Sequence, residues 1–234
     1  MTDLVPFTGE PLALDLVNTR PRTPDGQADL IATAEGLRAW LSLQADRLAG
    51  ALPEDGQARL TGDDLALVHE VREHAAAAID QVRRGLRPPE GALRGLNRAQ
   101  RAAPAVRELA WDGAAVTAVP HREGPWGARL AAVLAEAVAD LLTDPAVTTV
   151  RKCEADDCVM LFLPAHPRRR WCSAARCGNR ARVARHYRRR RGLDPGSQGP
   201  GPEGEGPEGE GPEGEGPEGE GSEGAELAGG RDRP

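Results

Sequence analysis

Apolar residues recur with a helical period over most of the first 149 positions. They fall on one stripe between residues 63 and 84, and a second stripe covers residues 130–141. The same spacing predicts shorter helices over residues 33–44 and 90–101. The pattern therefore predicts a mainly helical domain over residues 1–149, which is long enough to bury a core of its own.

Two local signals add detail to this domain. Asp63 and Asp64 stand at the start of the first stripe, where an N-cap residue is expected. Residues 115–119 have a strand-like composition and follow the turn signal Asp112-Gly113. This combination predicts one arm of a small hairpin within the helical domain.

The pattern changes after residue 150. Residues 159–163 read as a compact apolar strand, residues 164–167 include two prolines that favour a turn, and residues 168–171 are expected to return as the second strand. A helix then begins near Ser173, its expected N-cap, and ends near Arg191. The fold class predicted for the whole chain is mainly α with a small β component.

The last segment, residues 192–234, has no apolar pattern. Residues 201–220 are four copies of Gly-Pro-Glu-Gly-Glu, which offer nothing to bury and break both helices and strands. The sequence therefore predicts a disordered acidic tail and divides the chain into domains at 1–149, 150–191 and 192–234.

Charge is distributed very unevenly among these segments. Residues 150–191 hold thirteen basic and three acidic residues, a net charge of +10, whereas residues 192–234 hold twelve acidic residues and two arginines, a net charge of −10. The chain total of −6 hides this asymmetry. Because the two charges match, the tail is a candidate to fold back on the basic segment as a polyanion mimic, with a simple solubility tail as the alternative.

The four cysteines, all within the basic segment, have the spacing of a metal site. Cys153 and Cys158 enclose four residues, Cys172 and Cys177 again enclose four, and thirteen residues separate the pairs. Two such pairs supply four thiolates to a tetrahedral zinc ion, and a closed thiolate shell is typical of structural zinc. Two alternatives remain at this point: buried or redox cysteines, and His166 as a replacement ligand.

The expected compartment supports the metal interpretation. The sequence contains no apolar run of about 18 residues, which is the length that a membrane-spanning helix needs. The first twenty residues lack the pattern of a signal peptide. We therefore expect a cytoplasmic protein, where thiols stay reduced and cysteines serve as ligands more often than as disulfides.

The basic helix predicts a polyanionic partner. Arg182, Arg185 and Arg189 form one row with Arg188 beside them, and Val183 and Tyr187 are expected to face the hairpin. Arginine suits bidentate contacts with phosphate and guanine, so nucleic acid, with duplex DNA foremost, is the expected partner. The alternatives are an RNA-binding protein and a zinc-stabilised module that docks an acidic protein. An enzyme is not expected, since the thiolate shell leaves no open metal position.

These residues resemble a known family. The motifs Cys153-x4-Cys158, Arg169-Arg170-Trp171-Cys172-Ser173 and Cys177-Gly178-Asn179-Arg180 resemble the CGNR zinc finger. The run Leu12-Ala-Leu-Asp-Leu-Val-Asn-Thr19 resembles the start of the ABATE domain that usually precedes this finger. The Gly-Pro-Glu tail is not part of the family pattern.

The predicted knuckle, β-hairpin and helix around one zinc ion already form a treble-clef-like finger. The resemblance implies a stress-induced transcription regulator with this finger as its DNA-binding element and a helical domain as a ligand sensor. It implies that the four cysteines bind structural Zn²⁺. A small-molecule effector and a homodimer are compatible with such a regulator, and the sequence specifies neither. Three residues of the first domain are singled out, either for ligand binding or for a structural role: Asp15, Asn18 and Thr19. The predicted nucleic-acid contacts are Arg168, Arg169, Arg170, Arg176, Asn179, Arg180, Arg182, Arg185, Arg188 and Arg189.

Overall fold

The computed structural model describes residues 6–23, 26–48 and 60–190. The tail predicted to be disordered, residues 192–234, lies outside them. The helices of the described part are α1 (Leu12–Val17), α2 (Ala34–Leu43), α3 (Ala45–Leu48), α4 (Gly62–Val82), α5 (Glu90–Ala102), α6 (Trp126–Thr143) and α7 (Asn179–Arg190). The strands are β1 (Arg22–Thr23), β2 (Gly26–Gln27), β3 (Val106–Trp111), β4 (Val116–His121), β5 (Arg151–Lys152) and β6 (Leu161–Phe162).

The predicted fold class is confirmed: helices dominate, and the strands form three antiparallel two-stranded sheets. Helices α4, α5 and α6 pack against one another, and the short helix α1 packs against α4 and α6. Leu14 and Leu16 of α1 are fully buried in this core. At the α4–α5 contact, a side chain at Gly95 would collide with the ring of His74, so glycine allows the helices to approach closely. None of the described helices is both long and apolar enough to cross a membrane.

The N-cap residue of α4 differs from the predicted one. Thr61, rather than Asp63 or Asp64, is the N-cap: its extended backbone lets the hydroxyl accept a hydrogen bond from the Asp64 amide at 3.2 Å. The Asp64 carboxylate accepts in return from the Thr61 amide at 2.9 Å. This reciprocal capping box satisfies two amides that the first turn leaves unpaired.

The hairpin of the helical domain has both arms. β3 and β4 pair in register from Val106 opposite His121 to Trp111 opposite Val116. Asp112 closes the turn by accepting hydrogen bonds from the backbone amides of residues 114 and 115. The predicted arm therefore exists as β4, and β3 is its partner.

The strand pairing in the finger differs from the predicted pairing. β6 lies within the predicted strand at residues 159–163, but it pairs with β5, with Lys152 opposite Leu161, and not with residues 168–171. The backbone of the predicted return strand is used differently: the carbonyl of Arg170 accepts from the amide of Glu154 at 3.1 Å. Residues 168–171 thus hold the first cysteine pair in place and do not extend the sheet.

Helix α7 begins as predicted but packs differently. Ser173 caps a π-helical turn, Ala174–Gly178, by accepting from the Arg176 amide, and α7 follows directly. The prediction that Val183 and Tyr187 face the hairpin is wrong, because these side chains are 54% and 59% exposed. No residue of α7 is buried, so the helix extends from the finger into solvent.

Candidate metal centre and nucleic-acid interface

The four cysteine sulfurs converge on one point. All four Sγ atoms lie within 4.8 Å of one another, with Cys158 to Cys172 at 3.9 Å and Cys172 to Cys177 at 3.6 Å. A tetrahedral ion with metal–sulfur bonds of about 2.3 Å separates its ligands by about 3.8 Å. These distances fit that geometry and are far too long for a disulfide. His166 is engaged elsewhere, since its Nδ1 accepts from the Arg168 amide.

Backbone hydrogen bonds shape the site around the first pair. The amide of Cys153 donates to the carbonyl of Met160 at 2.9 Å, and the amide of Cys158 donates to Ala155 at 3.1 Å. Asp157 has φ of +64°, the left-handed conformation that Asp tolerates better than most residues, and this tightens the turn before Cys158. These contacts bend the chain into a knuckle that brings Cys153 and Cys158 together.

The hydrogen bond between the thiols of Cys158 and Cys172 shifts the pKa of both. A hydrogen bond from Cys172 lowers the pKa of Cys158 to about 5, and the same bond raises the pKa of Cys172. Burial raises the pKa of Cys177 to about 11. Without a cation the cluster cannot ionise fully, because neighbouring thiolates repel one another. Metal binding must release protons from these thiols.

Donors around the sulfurs complete the site. The backbone amide of Cys172 donates to Cys153 Sγ at 3.3 Å, and the guanidinium of Arg180 donates to Cys177 Sγ at 3.3 Å. Four thiolates around a divalent ion carry a net charge of −2, which these donors stabilise. Arg180, predicted as a nucleic-acid contact, thus lies against the metal centre.

A side chain of the helical domain pairs with the edge of the finger sheet. Asn18, only 2% exposed, donates to the carbonyl of Leu161 at 2.8 Å and accepts from its amide at 2.9 Å. The amide group of Asn18 therefore replaces a strand backbone beside β6. These two residues are 143 positions apart in the chain.

A partly buried ion pair strengthens this junction. The carboxylate of Glu10 accepts from the amide of Leu163 at 2.8 Å and from the guanidinium of Arg169 at 2.6 Å. Arg169 also donates to the carbonyls of Leu163, Trp171 and Cys172, and it lies over the ring of Phe162 at 4.5 Å. We call Glu10, Asn18, Leu161, Leu163 and Arg169 the clasp. Sequence patterns gave no signal for Glu10, and they placed Arg169 among the nucleic-acid contacts.

Asp15 supports the clasp from the helical domain. It is fully buried and accepts hydrogen bonds from the amides of Gly9 and Glu10, from Gln44 and from Arg47. Burial raises the pKa of Asp15, while these four donors oppose that rise. The network fixes the backbone that presents Glu10 to the finger.

Thr19 belongs to a second buried network. Its hydroxyl donates to the carbonyl of Leu16 at 2.7 Å and accepts from Arg72 at 2.9 Å. Arg72, 1% exposed, forms two hydrogen bonds of 2.7 and 2.6 Å with the carboxylate of Asp29. Burial tends to raise the pKa of Asp29, but the hydrogen bonds and charge of Arg72 outweigh it and lower the pKa to about 2. Asp15, Asn18 and Thr19 are thus all bound to partners within the chain.

The exposed arginines of the finger surround a groove. Arg168 and Arg170 from one side, and Arg182 and Arg185 from α7, line an open groove of about 500 Å³ against Trp171. Arg170 stacks on the ring of Trp171 at 4.7 Å and also pairs with Glu154. A side chain at Gly178 would lie 3.0 Å from the same ring, so this glycine lets α7 start close to Trp171.

The other predicted contacts lie on the same module. Asn179 accepts a hydrogen bond from Arg182 at 2.9 Å at the start of α7. Arg188 and Arg189 are exposed farther along the helix, and Arg176 lies in the π-helical turn before it. The predicted arginines therefore all lie on the finger. Two of them, Arg169 and Arg180, form contacts within the protein, with Glu10 and Cys177.

A helical domain joined to a four-thiolate finger with a basic helix defines a zinc-finger protein. Comparison with family models matches residues 10–145 to ABATE, described as "Putative stress-induced transcription regulator", and residues 149–190 to the CGNR zinc finger. Since the first match covers more than half of the chain, the protein belongs to the ABATE family. The finger match and the cysteine cluster together establish a site for structural zinc. A comparison with curated proteins finds no match.

Proposed function

We propose that the protein is a transcription regulator that binds duplex DNA through α7 and the arginines beside it. The observation that carries this proposal is the composition and exposure of α7. Six of its twelve residues are arginines, none is acidic and none is buried. The family description supports the regulatory part of the proposal.

A helix of this kind gains stability from a polyanion. An isolated helix of twelve residues is marginal in water, and α7 adds repulsion among its own arginines. Among the described residues no ion pair joins Arg185 or Arg188 to an acidic side chain, although both line one pocket with Glu154, Asp156 and Asp157. DNA phosphates would neutralise these charges, so binding and ordering of the helix support each other.

The dimensions of α7 suit the major groove. Twelve residues at about 1.5 Å each give a helix about 18 Å long, and the major groove, about 12 Å wide, admits an α-helix. The groove beside Trp171 lets Arg168 and Arg170 contact the phosphates next to those reached by Arg182 and Arg185. Guanidinium forks bind phosphate oxygens in pairs, which favours arginine at these positions.

Zinc supports binding indirectly. The π-helical turn that leads into α7 contains Cys177, and Cys172 lies one residue before its cap, Ser173. Tying both cysteines to the ion fixes the direction in which α7 leaves the finger. Zinc removal should therefore abolish binding without removing any arginine.

Binding to duplex DNA across a salt series tests the proposal. The zinc-loaded protein with about six phosphate contacts should show a slope of log K against log salt near −5. Replacing Arg185 with glutamine should weaken binding and reduce the slope by about one. The matched control is Arg94→Gln, which changes an exposed arginine of α5 paired with Glu90. A slope near zero, or equal effects of the two variants, would contradict the proposal. If structured RNA competes more strongly than duplex DNA, the partner is RNA and the proposal of DNA binding is wrong.

A further inference from the structure

The β3–β4 hairpin exposes apolar side chains that a soluble chain normally covers. Leu109 is 75% exposed and Trp111 is 67% exposed, and Val116 lies opposite Trp111 on the same face. Together the three side chains expose on the order of 400 Å² of apolar surface, within the range typical of interaction sites. A two-stranded hairpin is only marginally stable in water unless something packs against it or extends it.

The free edge of β3 is available for pairing. The amide of Asp112 donates to the carbonyl of Ala115, and the hydroxyl of Thr117 donates to the carbonyl of Ala110, which therefore points towards β4. With the in-register pairing of β3 and β4, the backbone groups of even-numbered residues in β3 point towards β4. Since backbone directions alternate along a strand, the groups of residues 107, 109 and 111 point outward. Within the described residues no strand lies beside this edge.

The two edges of the hairpin are not equivalent. Pro120 of β4 lies opposite Arg107, in a pair whose backbone groups point away from the partner strand. A proline at that place removes an outward N–H and blocks pairing along the β4 edge. Only the β3 edge keeps its full set of outward donors and acceptors.

We propose that β3 pairs antiparallel with β3 of a second copy of this chain, with the two-fold axis at Leu109, to form a four-stranded sheet. In this register Leu109 lies opposite its own copy, Arg107 lies opposite Trp111 of the other copy, and Glu108 lies opposite Ala110. Each Arg107 guanidinium can then stack on an indole ring, a favourable cation–π pair that occurs twice by symmetry.

Charge selects this register over its neighbours. A two-fold axis at Glu108 would place two glutamates directly opposite each other, and an axis at Ala110 would place Glu108 opposite Asp112. Like charges in directly opposed positions destabilise a sheet. The strand Val106–Trp111 is therefore self-complementary at Leu109, which is the property that a symmetric interface requires.

The second copy is the occupant that this edge fits. With the two-fold axis at Leu109, each Arg107 lies opposite an aromatic ring and no two like charges lie directly opposite each other. The β3 edge is therefore complementary to the same edge of a second copy. The apolar area is small compared with the roughly 1,600 Å² of a standard interface, so the association belongs to the weak, reversible class. We expect monomer and dimer to exchange in the micromolar range.

Sedimentation across protein concentrations tests the proposal on the full-length zinc-loaded chain. The wild type should move from 24.8 kDa towards twice that mass as concentration rises through the micromolar range. Leu109→Pro removes the central outward N–H and should keep the protein monomeric. Ala118→Pro is the matched control, because it places a proline on the β4 edge opposite Leu109 and should leave dimerisation unchanged.

Two further measurements keep the test decisive. Leu109→Lys keeps the strand backbone but sets two ammonium groups face to face, so it should weaken dimerisation at least tenfold even if the proline variant fails to fold. Hydrogen exchange of the amides of residues 107, 109 and 111 should slow as concentration rises. A wild type that stays monomeric, a dimer that survives both Leu109 variants, or exchange independent of concentration would overturn the proposal.

Discussion

Removing the side chain of Asn18 gives the sharpest test of how the two parts of the molecule are joined. Asn18→Ala deletes both hydrogen bonds to Leu161 and leaves its backbone amide and carbonyl unpaired in a buried site. An unsatisfied buried group costs about 1–3 kcal/mol. The free energy of unfolding should therefore fall by roughly 2–5 kcal/mol, a large part of the 5–15 kcal/mol typical of a domain.

Urea unfolding of the zinc-saturated protein, followed by helical circular dichroism, measures this loss. Asn97→Ala is the matched control, because it makes the same chemical change on the exposed surface of α5. That variant should stay within about 0.5 kcal/mol of the wild type. Met160, the residue just before β6, accepts a hydrogen bond from the Cys153 amide, so a displaced β6 would disturb the first cysteine pair. Asn18→Ala should therefore also lower zinc affinity in competition with a chelator.

Two outcomes would refute this reasoning. A loss below about 1 kcal/mol would mean that the Leu161 backbone groups find other partners when Asn18 is absent. A second outcome is a full loss of stability confined to the finger, with the helical domain unfolding at its wild-type urea concentration. That result would show that the clasp does not couple the two parts.

Three other predictions follow from the described contacts. Chelation of zinc at neutral pH should abolish the ordered environment of Trp171, seen by near-ultraviolet circular dichroism, and added zinc should restore it. Because the pKa of Asp29 is lowered to about 2, its carboxylate stabilises the fold above pH 4, and about 2 kcal/mol should be lost as pH falls from 4 to 2. Acid titration of unfolding should show this loss, and Asp29→Asn should remove it. Gly178→Ala should lower the thermal midpoint because its Cβ presses on Trp171, whereas Gly91→Ala, with open space around it, should not.

The parts of the fold that depend on local pattern were predictable. Helices α4 and α6 follow from apolar stripes, since burying one face of a helix needs only spacing within the segment. The zinc site follows from two cysteine pairs with equal gaps, because a tetrahedral ion restricts ligand spacing strongly. The capping residue Thr61 was missed because three polar residues compete near the start of α4.

Long-range pairing was not predictable from one sequence. The apolar strand at residues 159–163 was correctly located, yet its partner was taken to be the next segment and is in fact β5, which precedes the first cysteine pair. Val183 and Tyr187 have spacing that suits burial, but in the described part of the chain both side chains remain exposed. Sequence spacing shows which residues share a face of a helix and leaves open what covers that face.

The clasp connects the helical domain to the zinc site, so a ligand of the helical domain could change DNA affinity through it. Arg169 ties the Glu10 carboxylate to the carbonyl of Cys172, so the helical domain and the second cysteine pair share one side chain. Asn18 ties the same domain to β6, which leads back to the first pair. A ligand of the helical domain can alter DNA affinity only by binding one arrangement of the protein more tightly than another. If α7 is the DNA-binding element, that difference must reach it through the contacts between the two parts. Besides Glu10, Asn18 and the β5 connection, these include Phe7 against the cysteine cluster and Leu161 in the helical core. An effector that leaves all of these contacts unchanged should leave DNA affinity unchanged.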